Sequence, residues 1–305
     1  MPDFISVTTS SFVEFSPEPL DLLRKREIKF KVNTLGRKLA DAEILQFCLG
    51  SSGIIAGTET YSRQTLINLP GLKAISRCGV GMDNVDLIAA RELGIRVVNT
   101  PDAPTQAVAE LTIGLIFGLL RKISLSDRQL RNGIWKKHMG SLIQGKNIGI
   151  IGFGRIGKKV AELLAAFGVI IAYYDINPQI KHSAYLKKEL KDLLGWADII
   201  SLHCSAKPGS AIIGPEEIRL IKRGALLLNL SRGGILDEEA LYDALLAEKL
   251  SGAALDTFSQ EPYQGKMAKL DNVILTPHIG SYAKESRIAM ELEAVKNLLS
   301  CLEEI

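Results

Sequence analysis

Cysteine is scarce in this chain of 305 residues: there are four, Cys48, Cys78, Cys204 and Cys301, and no two of them form a C-x-x-C pair. That spacing suits neither a zinc knuckle nor a disulfide framework, so reduced thiols and no metal site are expected. Long apolar runs are missing too. The longest, Leu111–Leu120, is about half of a membrane span, and the opening Met1-Pro-Asp-Phe4 lacks the basic and apolar regions of a secretory signal. No membrane association and a cytoplasmic location are expected. Nor is there an excess of charge: 37 basic and 34 acidic residues leave a net +3. The densest basic groups, Arg24-Lys25-Arg26 and Lys187-Lys188, are mixed with acids or apolar residues. They read as solvated faces and give nucleic-acid binding no support. With 47% apolar and 23% charged residues the chain is an ordinary globular one, and its length suggests two domains.

What the chain does carry is an ordered glycine-rich turn. Lys146–Ile151 reads as a buried strand, Gly152-Phe-Gly154-Arg155-Ile156-Gly157 as a G-x-G-x-x-G turn, Lys158–Phe167 as a helix and Val169–Tyr174 as a second strand ending at Asp175. The three glycines play different parts. The first allows the sharp turn, the second lets the backbone approach a pyrophosphate, and the third permits tight helix–strand packing. Phosphates would then meet free N–H groups at the helix start. Asp175 follows Gly157 by eighteen residues, near the distance at which an acid meets the adenosine ribose. It favours NAD. A 2′-phosphate would be repelled there, and Ile176, Asn177 and Pro178 offer no arginine to hold one.

Short β-rich runs at Phe4–Thr8, Ile28–Val32, Gly53–Ala56, Leu72–Ser76 and Ile95–Val98 alternate with helical stretches such as Arg37–Phe47 and Val85–Leu93, the pattern of a parallel sheet. Thr105–Lys122 reads as one long helix bridging two domains. Further strands are expected at Ile199–His203, Leu226–Leu230, Ala253–Leu255 and Val273–Leu275, with a helix at Glu238–Glu248 and a last one from Ala283 to Leu302. The fold class is α/β: two Rossmann-like, doubly wound parallel-sheet domains with a cleft between them. A substrate domain takes residues 1–98 plus 283–305, and a nucleotide domain takes 99–282.

In an open α/β sheet, ligands collect beyond the carboxyl ends of the strands. Three polar residues fall just after strands: Arg232 in Ser231-Arg-Gly-Gly234, Glu261 before Pro262, and His278 after Pro277. The set suits oxidation of a 2-hydroxy acid. Arg232 would hold the substrate carboxylate or carbonyl oxygen, His278 would accept the hydroxyl proton as hydride leaves carbon, and Glu261 would orient the imidazole and stabilise its charged form.

Asn229-Leu-Ser-Arg-Gly-Gly234, Gln260-Glu-Pro262 and Thr276-Pro-His-Ile-Gly280 resemble motifs of the D-isomer-specific 2-hydroxyacid dehydrogenases. The match runs nearly end to end. The resemblance implies two Rossmann-like domains, the first completed by the C-terminal helix, and Arg232, Glu261 and His278 as catalytic. It implies that Arg77-Cys-Gly-Val80-Gly81-Met-Asp-Asn84 is a substrate loop, with N–H groups near Val80 and Gly81 receiving a carboxylate. Asp256, Thr105, Arg155, Ile156, His203 and Cys204 fall where cofactor contacts are implied. The phosphoglycerate-oxidising branch is the nearest in look, through Asn132-Gly-Ile-Trp135 and Ser231-Arg-Gly-Gly-Ile-Leu-Asp-Glu238. There are departures. That branch usually has a phosphate-binding arginine after the strand at Gly53–Ala56, where this chain has Gly57-Thr-Glu-Thr60, and Glu59 would repel a phosphate unless Arg77, Arg63 or a partner chain's Lys137 compensates. His203-Cys-Ser-Ala-Lys-Pro208 also departs from the family's usual loop.

The leading expectation is an NAD-dependent enzyme interconverting a small anionic D-2-hydroxy acid and its 2-oxo acid, with 3-phosphoglycerate first and glyoxylate or hydroxypyruvate next. A non-catalytic NAD(H)-sensing interaction protein of the same fold is the alternative. A formate dehydrogenase is disfavoured by Glu261, where that branch carries glutamine. The resemblance also implies a homodimer through the helix after Thr105 and the segment Ile134-Trp-Lys-Lys-His-Met139.

Overall fold

A computed structural model describes residues 4–205 and 211–304, so Ala206-Lys-Pro208 of the divergent loop lie outside the described residues. In chain order the elements are β1 (Ile5–Val7), α1 (Glu18–Lys25), β2 (Phe30–Val32), α2 (Asp41–Cys48), β3 (Gly53–Ala56), α3 (Arg63–Ile67), β4 (Ala74–Arg77), α4 (Leu87–Glu92) and β5 (Arg96–Asn99). Then follow α5 (Thr105–Leu120), α6 (Ile123–Arg131), β6 (Asn147–Ile151), α7 (Arg155–Ala165), β7 (Ile170–Tyr174), β8 (Leu186–Lys187), α8 (Leu190–Trp196), β9 (Ile199–Leu202) and α9 (Pro215–Leu220). The chain ends with β10 (Ala225–Asn229), α10 (Glu238–Leu246), β11 (Leu250–Leu255), β12 (Val273–Leu275) and α11 (Lys284–Glu303).

Two compact units result, Met1–Pro104 with Ser281–Ile305, and Thr105–Gly280. The breaks sit a few residues from 98 and 283, where the sequence pattern places them. The exit from β5 stays with the first unit because Ser286 on α11 donates from Oγ to the Ala103 carbonyl at 3.0 Å, and Tyr282 lies under the Arg287 guanidinium, 5.2 Å from ring centre to Cζ.

In the first unit the described strands form one parallel sheet in the order β2-β1-β3-β4-β5. Successive strand residues face opposite sides. Ile54 and Ile75 join Ile44, Tyr61 and Leu66 on one face, while Ile55 and Ala74 join Leu23, Val295 and Leu298 on the other. Burial on both faces is why β3 reads as an unbroken apolar run and why the serines within β1 and β4, Ser6 and Ser76, are themselves buried. Gly53 lets α11 come close, since a Cβ there would stand 3.0 Å from a Leu302 methyl. α2 begins at Asp41, later than the expected Arg37: the Glu43 carboxylate accepts the Ala40 N–H at 2.8 Å and pairs with Arg37 at 2.7 Å, which caps the helix and holds Arg37 outside it.

The second unit has strand order β12-β11-β10-β9-β6-β7-β8, all parallel. The order reverses between β6 and β9, and such a reversal opens a crevice at the strands' carboxyl ends. Ile148, Ile150 and Leu228 pack on one face and Ile151, Leu227 and Leu255 on the other. Two expectations are corrected. The long helix stops at Leu120 rather than Lys122, because Lys122 turns left-handed at φ 52° and starts α6. α7 starts at Arg155 rather than Lys158, which puts its N-terminus directly after Gly154. No helix among the described residues is long and apolar enough to cross a membrane.

Candidate active site

In the second unit the glycine turn follows β6 at the reversal of strand order. Gly152 has φ 89°, and a Cβ there would lie 2.6 Å from the Cys204 nitrogen. A Cβ on Gly157 would meet the Gly152 carbonyl oxygen at 2.2 Å. Both glycines are therefore demanded by contact within the protein. Gly154 differs: it caps α7 with extended backbone, and nothing lies within 4 Å of where its Cβ would be. That open space in front of a helix N-terminus is the cradle a pyrophosphate needs. Arg155 is exposed and Ile156 half-buried at the same helix start.

Asp175, just past β7, accepts the Phe153 N–H through Oδ2 at 2.7 Å and the Asn177 N–H through Oδ1 at 2.9 Å. It thus ties the second strand's end to the glycine turn. Each oxygen keeps lone pairs for further donors such as ribose hydroxyls. Phe153 supports the turn from below, stacked on Tyr173 with centroids 4.0 Å apart.

His203 and Cys204 follow β9. His203 Nε2 lies 2.8 Å from Ser201 Oγ, and its Nδ1 is buried without a partner. Burial pushes this imidazole down to about 3 and the Cys204 thiol up to about 11. Thr105 Oγ1, at the start of α5, is likewise buried without a partner. Orphaned buried polar atoms carry a cost that a bound ligand's groups would relieve, so the residues here fit a dinucleotide.

At the carboxyl ends of β10, β11 and β12 a second constellation forms. Asn229 shapes the first loop: its Oδ1 accepts from Ser231 N–H at 3.1 Å and Oγ at 2.7 Å, and its Nδ2 donates to the Arg232 carbonyl at 2.9 Å. Arg232 donates from Nη1 to the Ser231 carbonyl at 2.7 Å. Gly233 sits so close to the next loop that a Cβ would strike the Phe258 carbonyl oxygen at 1.8 Å. Glu261 then links two loops, accepting the Phe258 N–H through Oε1 at 3.1 Å and facing His278 Nδ1 through Oε2 at 2.9 Å. Both side chains remain partly open, 39% exposed for Glu261 and 48% for His278, which leaves the imidazole's Nε2 side accessible to a ligand.

His278 has φ 54°, a left-handed backbone that is uncommon outside glycine. The turn holding it is clamped by Asp256, 1% exposed, at the end of β11. Asp256 Oδ1 accepts the Thr276 hydroxyl at 2.5 Å and the Ile279 N–H at 2.8 Å, and Oδ2 accepts the Gly280 N–H at 2.8 Å. A Cβ on Gly280 would lie 3.3 Å from a Val108 methyl, so α5, which Thr105 begins, runs past the same turn. The clamp by Asp256, the Asn229 turn and the Thr276 hydroxyl went unread in the sequence. Asn229 carried a signal, an Asn ending a strand two residues before a serine, the spacing of an Asx turn.

The first unit presents the loop after β4. Gly79 N–H donates to Thr100 Oγ1 at 2.8 Å, and Asn99 Nδ2 donates to the Val80 carbonyl at 2.6 Å. Val80 is 38% exposed and Gly81 beside it is half-buried. Arg77 folds under its own loop: its guanidinium occupies the space a Gly79 Cβ would need and donates to the Cys78 carbonyl.

Residues 113–280 match the family description D-isomer specific 2-hydroxyacid dehydrogenase, NAD binding domain. A D-3-phosphoglycerate dehydrogenase of Methanocaldococcus jannaschii is 40% identical over 273 residues, 86% of this chain and 51% of that protein. The chain thus spans about half the length of that relative. A glyoxylate reductase of Thermococcus litoralis is 38% identical over 257 residues, 80% of this chain and 78% of that one. Among solved structures, the TT0316 protein of Thermus thermophilus has a TM-score of 0.91 at 37% identity, covering 99% of this chain and 97% of that chain. A D-lactate dehydrogenase of Aquifex aeolicus, complexed with NAD and lactic acid, has a TM-score of 0.83 at 26% identity, covering 99% and 96%.

Proposed function

Because the chain belongs to the D-isomer-specific 2-hydroxyacid dehydrogenase family and carries its NAD-binding domain, we propose that it interconverts a short D-2-hydroxy acid and the matching 2-oxo acid. The observation that carries this reading is the Glu261–His278 pair, 2.9 Å apart and still open to a ligand. When bound, the nicotinamide ring supplies or takes up the hydride. The protein's own residues do the rest. His278, with Nδ1 turned to Glu261, gives a proton from Nε2 to the carbonyl oxygen in reduction and takes it back in oxidation. Glu261 stabilises the charged imidazole that this exchange requires. Arg232 holds the substrate carboxylate or carbonyl oxygen by charge-assisted hydrogen bonds, and the N–H groups at Val80 and Gly81 receive the carboxylate.

The dinucleotide is held by Gly152, Gly154, Arg155, Ile156 and Gly157 at the phosphates and by Asp175 at the adenosine ribose. Thr105, His203, Cys204 and Asp256 lie toward its other end. Asp175 supports NAD over NADP, since a carboxylate would face the 2′-phosphate.

Turnover of NADH with a panel of 2-oxo acids tests the proposal. It begins with the 3-phosphoglycerate couple and includes glyoxylate and hydroxypyruvate. Activity with at least one acid, falling by orders of magnitude in His278→Ala and Arg232→Ala, is expected. Rates unchanged by both substitutions remove these residues from the mechanism, and NADH binding with no turnover of any acid favours an NAD(H)-sensing role. We propose a homodimer as well. Ile134, Trp135, Met139 and Leu142 are 51, 82, 90 and 72% exposed, an apolar arm that a second copy would cover. Sedimentation as a monomer at micromolar concentration would count against it.

A further inference from the structure

Four aromatic rings lie beneath the glycine turn, and their hydrogen bonds lead into the loop after β7. Tyr173, on β7, is 1% exposed, and its ring stacks on Phe153 at 4.0 Å with 17° between the planes. Phe153 is the residue between Gly152 and Gly154. Its ring also makes edge contacts with His182 at 5.7 Å and Tyr185 at 5.9 Å, and those two rings stack on one another at 4.7 Å.

The chain leaves β7 at Asp175 and returns as β8, where Lys187 stands opposite Tyr173 and the Lys188 N–H donates to the Tyr173 carbonyl at 3.0 Å. Within that excursion the Tyr173 hydroxyl accepts the His182 N–H at 3.0 Å and donates to the Ile180 carbonyl at 3.4 Å. Lys187 adds a second hold, donating from Nζ to the Pro178 and Ile180 carbonyls at 3.2 Å each. At the other end of the loop, Asp175 accepts from the Asn177 N–H and from the Phe153 N–H of the turn. Tyr173 and Asp175 are two apart on extended chain, so their side chains share a face. Both reach Phe153, one through the ring and the other through the N–H. Nothing in the proposed chemistry asks for a phenol there. A strand position that needs only packing is met by an apolar side chain, whereas a buried hydroxyl costs desolvation unless it is bonded.

We infer that Tyr173 is a positioning residue for the cofactor: it sets the loop after Asp175 against the glycine turn, so that the diphosphate and adenosine parts of the cradle stand in fixed register. The inference rests on the dinucleotide reading of the glycine turn and Asp175. It acts through Phe153 by the ring and through Ile180 and His182 by the hydroxyl. Tyr173→Phe separates the two, keeping the stack and removing the hydrogen bonds. One such hydroxyl shifts the equilibrium of the loop by about two- to tenfold, and affinity falls by the fraction of time the loop is out of place.

ADP-ribose carries the diphosphate and adenosine parts of the cofactor without the nicotinamide, and it is titrated by calorimetry into wild type and Tyr173→Phe. NADH turnover is measured in both with the best 2-oxo acid. Tyr173→Phe should raise the ADP-ribose Kd and the KM for NADH together, by about two- to tenfold, with kcat and the KM for the acid moved by less than about twofold. Amide exchange gives the readout that a merely stabilising role would leave alone. ADP-ribose should slow exchange at residues 152–154 and 176–182 together in wild type, and in Tyr173→Phe the slowing should persist at 152–154 and be lost at 176–182. The wild-type pattern decides even where the variant does not fold: slowing confined to 152–154 overturns the inference. So does a folded Tyr173→Phe with an unchanged ADP-ribose Kd, or one whose kcat falls as far as its NADH affinity; the dinucleotide reading survives each of these. Wild type binding neither ADP-ribose nor NADH overturns both.

Discussion

Replacing Asp256 by alanine should damage the molecule twice, and the structure sets the scale of each effect. Asp256 is 1% exposed and accepts three hydrogen bonds, from the Thr276 hydroxyl and from the Ile279 and Gly280 N–H groups. Its removal strands three donors, and each buried unsatisfied donor costs about 1–3 kcal/mol. With partial relief by water, Asp256→Ala should destabilise the protein by about 3–6 kcal/mol. Asp256→Asn retains one carbonyl acceptor and turns an amide toward a donor, so about 1–3 kcal/mol is expected. The second effect is local. The bonds from Thr276, Ile279 and Gly280 flank His278 and hold it at φ 54°, a backbone that relaxes when its clamp is lost. A displacement of about 1 Å in the imidazole costs on the order of 10²-fold in rate. Urea unfolding read by circular dichroism gives the first quantity, provided the m-value is unchanged. NADH oxidation against the best 2-oxo acid gives the second, with NADH affinity measured separately so that a lost cofactor contact is told from a displaced proton donor. Asp256→Asn with wild-type stability and wild-type kcat would refute the reasoning, because the turn would then be held by something other than this carboxylate.

Three further outcomes are expected. Gly157→Ala forces a Cβ to 2.2 Å from the Gly152 carbonyl oxygen, backbone that cannot step aside, so stability should drop by about 1–3 kcal/mol and NADH binding should weaken with it; calorimetry showing unchanged affinity would contradict this. Asp175→Ala removes the acceptor of Phe153 and Asn177 N–H, so the NADH dissociation constant should rise about tenfold or more and the preference over NADPH should shrink, and equal preference in wild type would sink the cofactor assignment. Burial holds His203 down at about 3 from 6.5, so the unfolded chain takes up a proton below pH 6.5 that the native state refuses. Stability should be full above pH 6.5 and lost as pH falls toward 3, by up to about 1.4 kcal/mol per pH unit. His203→Asn removes that slope, and urea midpoints of the variant that fall between pH 7 and 5 as steeply as those of wild type would refute it.

Much of this fold was legible because parallel strands buried on both faces leave an apolar signature. Gly53–Ala56 and Val273–Leu275 appear in the structure with the limits read from the sequence, and the glycine turn stands between strand and helix as its motif demands. Boundaries that depended on capping were misread. Arg37 reads as helical by apolar spacing alone, but the Glu43 carboxylate closes the helix at Ala40. Lys122 reads as the helix's continuation, but its left-handed backbone leaves no trace in residue type.

Residue type and spacing by themselves determined that this chain makes two α/β units, that one of them cradles a dinucleotide, and that Arg232, Glu261 and His278 stand just past strand ends. These follow from local rules: strand periodicity, the missing Cβ of glycine, and the place where helix N-termini meet phosphate. The tertiary structure gave the expected Glu261–His278 contact its 2.9 Å geometry, and it alone decided that Asp256 grips the His278 turn and that Glu59 lies buried beside the Val80–Gly81 loop. Glu261 and His278 are 17 residues apart in sequence, Asp256 and Gly280 are 24, and Glu59 and Thr8 are 51. Which such partners meet is set by strand order in the sheet, and that order depends on the packing of both faces at once rather than on any single stretch of chain.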